Sequence, residues 1–329
     1  MNEFVIAEKD SGQRLDRYIA RLLPLAPKSF LYKALRNKDI RLNGKKASGG
    51  ETVQAGDRVL FRFPDLQFAD LGGRTRKETA GGPERKTDPE TDSRRPDGKN
   101  GLSPEFGSIV FEDEDILIAD KRSGVLSQKA KPEDVSINEA LLAYCGGKTE
   151  TYTPSVCNRL DRNTSGLLIF AKTYRGAREM AAALKERSAE KYYLAAVYGD
   201  VAEPGHLKAR LVKDSRENRV EVLPEEGNRG DLIETAYRPL ARTRKNGEQI
   251  TLLKIELITG KTHQIRAHMA SVGFWVLGDP KYGDPAVSRK LGTDRLMLHS
   301  CELVLPERGA FRAPVPDCFR ELFGISGIL

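Results

Sequence analysis

A stretch in the first third of the chain, residues 65–106, differs in composition from its surroundings. Its central part reads GGRTRKETAGGPERKTDPETDSRRPDGKNG, is rich in Gly, Pro, Thr and charged residues, and contains no large apolar side chain. Such a segment cannot bury enough apolar surface to offset the entropy that a chain loses on folding. We therefore predict a flexible charged linker over 65–106, which divides the 329 residues into a small unit over 1–64 and a larger one over 107–329.

The residues before this linker predict a small α+β unit. RLDRYIARLL (14–23) repeats its apolar residues at helical spacing, and SFLYKALRNK follows as a second helix with Ser29 as its expected N-cap. Asn43-Gly44 is a strong signal for a tight hairpin turn, and AGDRVLFRF alternates as a strand. The pattern predicts two short helices followed by a small twisted sheet.

Positive charge is concentrated in the same unit. The chain carries a net charge of +7, and between Arg14 and Arg62 twelve Lys/Arg stand against four Asp/Glu. A dense basic segment of this kind favours binding to the phosphates of a nucleic acid. The candidate phosphate-binding residues are Lys28, Lys33, Arg36 and Lys45. Arg14, Arg17 and Arg21 are expected to share one further basic face on the first helix.

Beyond the linker, long strands follow one another with few helices between them. SIVFEDEDILIADK predicts two strands around an acidic turn, KYYLAAVYG another, and QITLLKIELITG one more. This order indicates an α+β domain with a mixed, largely antiparallel sheet and flanking helices. THQIRAHMASVG predicts a helix that turns Ile265, Met269 and Val272 inward.

The motifs of cofactor-dependent and metal-dependent enzymes are missing. GKT at 260–262 lacks the upstream glycine of a phosphate loop, since Ile255 stands there. His263 and His268 are five residues apart, whereas a helical zinc pair needs four. We expect neither cofactor nor metal. Four scattered cysteines without a C-x-x-C pair, no apolar leader and no membrane-length apolar run predict a cytoplasmic protein.

One segment, NRLDRNTSGLLIFAKT (158–173), places Asp161 between two arginines and ahead of an apolar strand. A carboxylate fixed at a sheet edge beside an arginine is a candidate nucleophile or general base. The alternative is a turn-capping aspartate paired with its neighbour. Arg266 as a second arginine, Tyr193 as a ring that can stack on a base, and the basic unit favour an enzyme acting on a nucleotide within RNA.

These segments carry a family resemblance. NRLDRNTSGLLIFAKT, KYYLAAVYG, TGKTHQIRAHMASVGFWVLGDPKYG and LMLHSCEL resemble, in this order, the blocks of the RluA-type pseudouridine synthases over about 108–329, and 12–63 resemble the S-four-type RNA-binding domain. The resemblance implies that uracil is detached from its ribose and rejoined through carbon 5. It implies a monomer that acts on RNA without cofactor or metal. Large-subunit ribosomal RNA is the expected substrate, and transfer RNA is the second candidate.

The resemblance also implies a role for each matching residue. Asp161 is the essential carboxylate, whether it attacks the sugar, attacks the ring or abstracts a ribose proton. Arg266 pairs with it and keeps it ionised. Tyr193 stacks on the base and assists the last proton removal. Arg159 fills the gap left by the flipped nucleotide, and Leu298 forms an apolar wall.

Simpler interpretations stay open for several of these residues. Arg159 could bind a phosphate, Leu298 could be ordinary core, and His263 and Gln264 are expected to be structural. Strand alternation turns only one of the tyrosines at 192 and 193 inward.

The sequence also departs from the family at three positions. Asn158 replaces a histidine, Lys261 replaces an arginine, and Arg122 replaces a proline whose loss is expected to loosen one loop.

Two other functions compete with the synthase. One is a non-catalytic RNA-binding or ribosome-assembly protein that keeps the fold. The other is a glycosidase-like hydrolase, which requires a second carboxylate near the first; Glu190 is the nearest and a poor candidate.

Overall fold

The computed structural model describes residues 2–72, 102–149, 151–214 and 219–325. Most of the predicted linker lies outside these ranges and stays a prediction. Its first residues differ from the prediction, because Asp65–Asp70 form a helix and Phe68 is fully buried in the core of the N-terminal unit. Packed structure therefore continues past residue 64, where the linker was predicted to begin.

The N-terminal unit is a four-stranded antiparallel sheet covered by helices. Its elements are β1 (Asn2–Val5), a 3₁₀ turn (Glu8–Asp10), α1 (Leu15–Leu22), α2 (Lys28–Arg36), β2 (Ile40–Leu42), β3 (Lys45–Lys46), β4 (Arg58–Phe61) and α3 (Asp65–Asp70). The sheet order is β1-β4-β2-β3. The predicted small α+β unit is confirmed.

Local sequence explains most of this unit. The apolar side of α1 is buried, as the helical spacing predicts. Asn43 and Gly44 have φ of 50° and 74°, the left-handed pair that a two-residue hairpin turn requires. The Ser29 cap is wrong: α2 begins at Lys28 with Pro27 as its N-cap, so the helix starts two residues earlier than predicted.

The second unit is built on an eleven-stranded sheet. Its strands are β5 (Gly107–Glu112), β6 (Ile116–Lys121), β7 (Ser155–Val156), β8 (Ser165–Ala171), β9 (Glu190–Tyr198), β10 (Gly205–Asp214), β11 (Arg219–Leu223), β12 (Asp231–Lys245), β13 (Glu248–Leu257), β14 (Leu298–Leu305) and β15 (Gly309–Arg312). The order is β11-β10-β12-β13-β9-β14-β8-β6-β5, with β15 beside β14 and β7 beside β8.

Strand pairing in this sheet is antiparallel except between β14 and β8, which run parallel. The predicted mixed, largely antiparallel sheet is confirmed. Every residue of β8 is buried, which explains why its sequence is one continuous apolar run rather than an alternating one.

Helices flank the sheet: α4 (Ile137–Tyr144), α5 (Tyr174–Lys185), α6 (Gln264–Ser271), α7 (Pro285–Leu291) and α8 (Asp317–Phe323). On α6, Ile265 and Met269 are buried as predicted, but Val272 lies beyond the last helical residue and is 40% exposed. The chain turns away there because Gly273 adopts a positive φ of 86°. The four cysteines are unpaired and only partly buried.

Candidate active site

A cleft opens where the loop before β8 meets the start of α6 and the middle of the sheet. Its lining is Arg159, Leu160, Asp161, Thr164, Tyr193, Leu257, Lys261, His263, Gln264, Ile265, Arg266 and Leu298. The structure thus brings together all five residues that the resemblance assigns to the site on the second unit. It does not bring the N-terminal lysines and arginines into this cleft.

Asp161 and Arg266 form an ion pair inside the cleft, although 105 residues separate them in sequence. The Arg266 Nη1 donates to Asp161 Oδ2 at 2.7 Å. The Asp161 side chain keeps about a quarter of its surface exposed (26%), whereas Arg266 is almost fully enclosed. The carboxylate is therefore held from the protein side and open to a ligand from the other.

A second carboxylate, Asp279, holds the guanidinium from behind. Arg266 Nε donates to Asp279 Oδ2 and Nη2 donates to Oδ1, both at 2.7 Å. The Asp279 side chain has no exposed surface, and its Oδ1 also accepts the backbone N–H groups of Lys281 and Tyr282. Two parallel charge-assisted bonds fix the plane of the guanidinium, which leaves the third nitrogen aimed at Asp161.

Electrostatics agree with this geometry. Burial favours a lower pKa for Arg266, but the hydrogen bonds and charge of Asp279, followed by those of Asp161, raise its pKa overall. Burial favours a higher pKa for Asp279, but its bonds to Arg266 lower it overall. Both groups therefore stay charged in the fold, and the cleft holds a permanent cation beside Asp161.

The loop that carries Asp161 is tied to the loop after β6. Lys121, fully buried, donates from Nζ to the carbonyls of Arg122 (2.9 Å), Val125 (2.7 Å) and Arg162 (3.2 Å). Three acceptors match the three donors of an ammonium group. Burial lowers the pKa of Lys121 to about 7, against the opposing charges of Asp161 and Asp120.

Further bonds join the same two loops. The Ser127 hydroxyl donates to the Leu160 carbonyl at 2.8 Å, and the Leu160 N–H donates back to it at 3.0 Å. In addition, the Arg122 N–H donates to the carbonyl of Phe106, just before β5, at 2.9 Å, a bond that a proline could not make. The expected loosening of this loop stays a prediction.

Tyr193 is the tyrosine that faces the cleft. It is 4% exposed, and burial raises the pKa of its phenol above the ordinary range. Tyr192 points the other way, where its hydroxyl donates to Glu190 and Lys254 lies 4.4 Å from its ring centre. Strand alternation thus divides the pair as predicted. Leu298 is 4% exposed and belongs both to the cleft wall and to the main core.

Three more cleft residues differ in their exposure and contacts. Arg159 is exposed at the rim. Gln264 is used for structure, as predicted: its amide donates to the Glu234 carbonyl and Thr235 hydroxyl, and its oxygen accepts from Thr259. His263 adopts a left-handed φ of 52° and its Nδ1 lies 3.0 Å from the Tyr282 hydroxyl.

Sequence reasoning missed Asp279, Lys121 and Tyr282. Asp279 and Tyr282 belong to the segment GDPKYG within the family blocks, which was the available signal, but the sequence offers no sign that Asp279 would pair with Arg266. Tyr282 packs against Arg266, whose guanidinium carbon lies 5.3 Å from its ring centre. These residues support the ion pair without facing the cleft opening.

The cleft contains no second carboxylate among the lining residues that the structure describes. The hydrolase hypothesis lacks the pair of acids that it requires, since Glu190 is bonded to Tyr192 instead. Across the described ranges, no group of three or more His, Cys, Asp or Glu side chains is placed to hold a metal ion. Within the same ranges, no helix has the length and apolar character to cross a membrane.

Comparison with known proteins identifies the family and the fold. The sequence profile of the RNA pseudouridylate synthases matches residues 115–271, and that of the S4 domain matches 13–59. Ribosomal large subunit pseudouridine synthase C of Vibrio parahaemolyticus is 30% identical over 325 residues, which are 97% of this chain and 91% of that protein. The chain belongs to the RNA pseudouridine synthase family. It is an isomerase with an N-terminal S4 domain, as the resemblance implied.

Two more comparisons extend this result. The synthase C of Escherichia coli O157:H7 is 29% identical over 96% of this chain and 95% of its own. The structure of human RNA pseudouridylate synthase domain containing 1 superimposes with a TM-score of 0.53 at 26% identity, over 67% of this chain and 87% of that one. The α+β synthase fold is thereby confirmed.

Proposed function

We propose that this synthase isomerises specific uridines in large-subunit ribosomal RNA, with Asp161 as the essential carboxylate. The observation that carries the proposal is the Asp161–Arg266 pair, which presents one partly open carboxylate in a cleft whose other described lining residues include no acidic side chain. The names of the relatives supply the substrate class, since the synthases C of Vibrio and Escherichia are ribosomal large-subunit enzymes. Transfer RNA is the second candidate substrate.

The reaction breaks the bond between N1 of uracil and C1′ of ribose and forms one between C5 and C1′. The C5 proton is released, and N1 gains a proton, so that substrate and product are isomers. Asp161 attacks C1′, attacks the ring or abstracts a ribose proton, and each route places its carboxylate against the flipped nucleotide. Arg266 orients that carboxylate through the 2.7 Å bond.

The other cleft residues have roles in the same proposal. Tyr193 stacks on the uracil from the sheet side and assists the transfer of the C5 proton to water in the last step. Leu298 forms an apolar wall that excludes water from the base. Arg159, exposed at the rim, fills the gap that the flipped nucleotide leaves in the RNA.

RNA affinity comes largely from the S4 domain in this proposal. Lys28, Lys33, Arg36 and Lys45 are all exposed on it. Neutralised phosphates release counterions, so affinity should fall steeply with salt. We further propose a monomer in the cytoplasm, where ribosomal RNA is modified; the family resemblance and the ribosomal names of the relatives support this.

The basic surface can be tested separately from the cleft. Lys33→Glu with Arg36→Glu should weaken binding to a large-subunit RNA transcript and flatten its salt dependence, while leaving the unfolding midpoint unchanged. Lys185→Glu, an equally exposed lysine on the last turn of α5, is the matched control and should have little effect. Equal affinities for both variants would show that the RNA lies elsewhere.

Turnover itself is tested with RNA that carries tritium at C5 of uridine. Because C5 loses its hydrogen, the wild-type enzyme should release tritium to water, and Asp161→Asn should release none while binding the transcript with nearly wild-type affinity. Release by Asp161→Asn at the wild-type rate would exclude the aspartate. Binding without release by the wild type would favour a non-catalytic RNA-binding or assembly protein.

A further inference from the structure

The S4 domain contacts the synthase domain through a buried polar cluster. Asp10, at the end of the 3₁₀ turn, accepts hydrogen bonds from the hydroxyls of Thr149 (2.7 Å) and Thr151 (2.5 Å) with a single oxygen. Gln13 donates from Nε2 to the Thr151 hydroxyl at 3.2 Å and to the Asp10 carbonyl at 2.8 Å. Gln13 is fully buried, and Asp10 and Thr151 are 3% and 6% exposed.

Arginines of α1 extend this cluster. Arg21 Nη1 donates to Gln13 Oε1 at 3.1 Å and to the Thr151 carbonyl at 3.2 Å, and its guanidinium carbon lies 4.9 Å from the ring centre of Tyr174. Arg17 Nη1 donates to the Tyr174 hydroxyl at 3.4 Å. Arg17 and Arg21 were predicted to share one basic face of α1 with Arg14, and these two of the three contact the synthase domain.

The backbones also approach closely beside the cluster. A Cβ built on Gly12, whose φ is 84°, would lie 3.4 Å from the Cβ of Arg175 at the start of α5. Lys9 Nζ donates to the carbonyl of Gly147 at 3.0 Å and also to that of Cys145. Contacts therefore reach the synthase domain at both α5 and the 145–151 segment.

A buried polar cluster of this kind specifies one orientation. Each donor has a defined acceptor, and sliding the domains would leave buried polar atoms unpaired, which is unfavourable. An apolar contact of similar size would tolerate such sliding. The contact leaves Lys28, Lys33, Arg36 and Lys45 exposed, as an RNA-binding surface requires.

We infer that this cluster fixes the S4 domain at one distance and angle from the Asp161 cleft, so that Asp10, Gln13 and Thr151 help to select the substrate. An RNA is a good substrate when the element bound by the S4 domain and the target uridine match that span. The inference rests on the proposed function, because it assigns RNA to both surfaces. Asp10, Gln13 and Thr151 are positioning residues, since they touch neither the cleft nor the exposed lysines.

Two variants remove the cluster from opposite sides. Asp10→Ala deletes the shared acceptor in the S4 domain, and Thr151→Val deletes a hydroxyl in the synthase domain. Asp10→Ala alone could act by unfolding the S4 domain, whereas Thr151→Val changes only the synthase domain. The same effect from both variants therefore identifies the interdomain contact as its cause. Asp10→Asn keeps an acceptor and should restore docking in part. Lys33→Glu is the control that should weaken RNA binding without moving the domains.

The interdomain distance is measured in the full chain with spin labels introduced as unnatural amino acids at positions 45 and 185. We expect one narrow distance distribution for the wild type and broad ones for Asp10→Ala and Thr151→Val. With a full-length large-subunit RNA transcript, kcat/KM should fall roughly tenfold in both variants, the size expected when a tether loses its fixed geometry. With a short stem-loop that carries only the target uridine, kcat/KM should stay unchanged.

A broad wild-type distribution would overturn the inference. So would a full-length transcript that is turned over equally well by wild type and by a variant whose distribution has broadened. If wild type turns over neither RNA, the proposed function fails by itself, and the distance distributions still decide whether the domains are docked.

Discussion

Replacing Asp279 with asparagine tests whether the buried pair behind the cleft orders Arg266. In the native fold Asp279 accepts two guanidinium N–H bonds, each 2.7 Å long, on separate oxygens. Asparagine keeps one oxygen and turns an NH₂ donor toward an N–H donor of Arg266. The variant therefore loses one charge-assisted bond, gains a donor–donor contact, and leaves a buried cation with a single anion.

The magnitude follows from the geometry. Breaking a buried ion pair from one side costs about 3–5 kcal/mol. Because Arg266 retains the bond to Asp161, we expect the lower end, about 3 kcal/mol of unfolding free energy. Arg266 also loses one of the two bonds that fix its plane, and a misplacement of about 1 Å near reacting atoms costs about 100-fold in rate, so kcat should fall about 10- to 100-fold.

Denaturant unfolding and tritium release measure the two effects on one preparation. Asp294→Asn, the same chemical change at an exposed position, is the control and should stay within about 0.5 kcal/mol of wild type. If Asp279→Asn matches that control in stability and rate, Asp279 does not hold Arg266 in place. A loss of stability with unchanged kcat would mean that Asp161 alone orients the guanidinium.

Three further predictions concern the Tyr193 hydroxyl, the glycine after the Asp161 loop and acid stability. Tyr193→Phe keeps the ring and should preserve RNA affinity while slowing tritium release by about 100-fold or more. Release within about twofold of wild type would exclude the hydroxyl from assisting the removal of the C5 proton. Gly166→Ala would place a Cβ 2.1 Å from the Ser300 carbonyl oxygen at a φ of 107°, so we expect a loss of roughly 3 kcal/mol or more of unfolding free energy. Gly260→Ala, where the space is open, should lose almost none. Equal unfolding midpoints for the two variants would contradict this prediction. Burial lowers the pKa of His299 from 6.5 to about 4, so the unfolded chain takes up a proton that the fold excludes, and stability should fall by roughly 3 kcal/mol as pH drops through that interval. His299→Gln should flatten the pH dependence of the denaturant midpoint, and an unchanged slope would contradict the assignment.

Local patterns in the sequence predicted the elements well. The continuous apolar run of β8, the amphipathic spacing of α1 and the Asn43-Gly44 turn depend on neighbours within a few residues, and each appears where expected. The Asp161 segment was also recognised as a candidate site from its immediate neighbours in the sequence. Its pairing with Arg266 was predicted only through the family blocks, because no local pattern relates residues that lie 105 positions apart.

The failures have a common physical origin in long-range polar contacts. Asp279 and Lys121 act through partners on other elements, and a lone Asp or Lys in a sequence does not reveal its partner. Arg17 and Arg21 lie on the polar side of α1, which helical spacing assigns to solvent although both side chains also contact a second domain. Hydrophobic periodicity separates apolar from polar faces, and it does not distinguish water from a polar interface.

The central claim is tested most directly by mapping pseudouridine in ribosomal and transfer RNA from cells that lack this protein. The same cells are complemented with wild type or with Asp161→Asn. We predict that particular sites in large-subunit ribosomal RNA disappear, return with wild type and stay absent with Asp161→Asn. If the sites that disappear lie only in transfer RNA, the substrate is transfer RNA and not ribosomal RNA. A map that is identical in all strains, or sites restored by Asp161→Asn, would contradict the account of this cleft as the isomerising site.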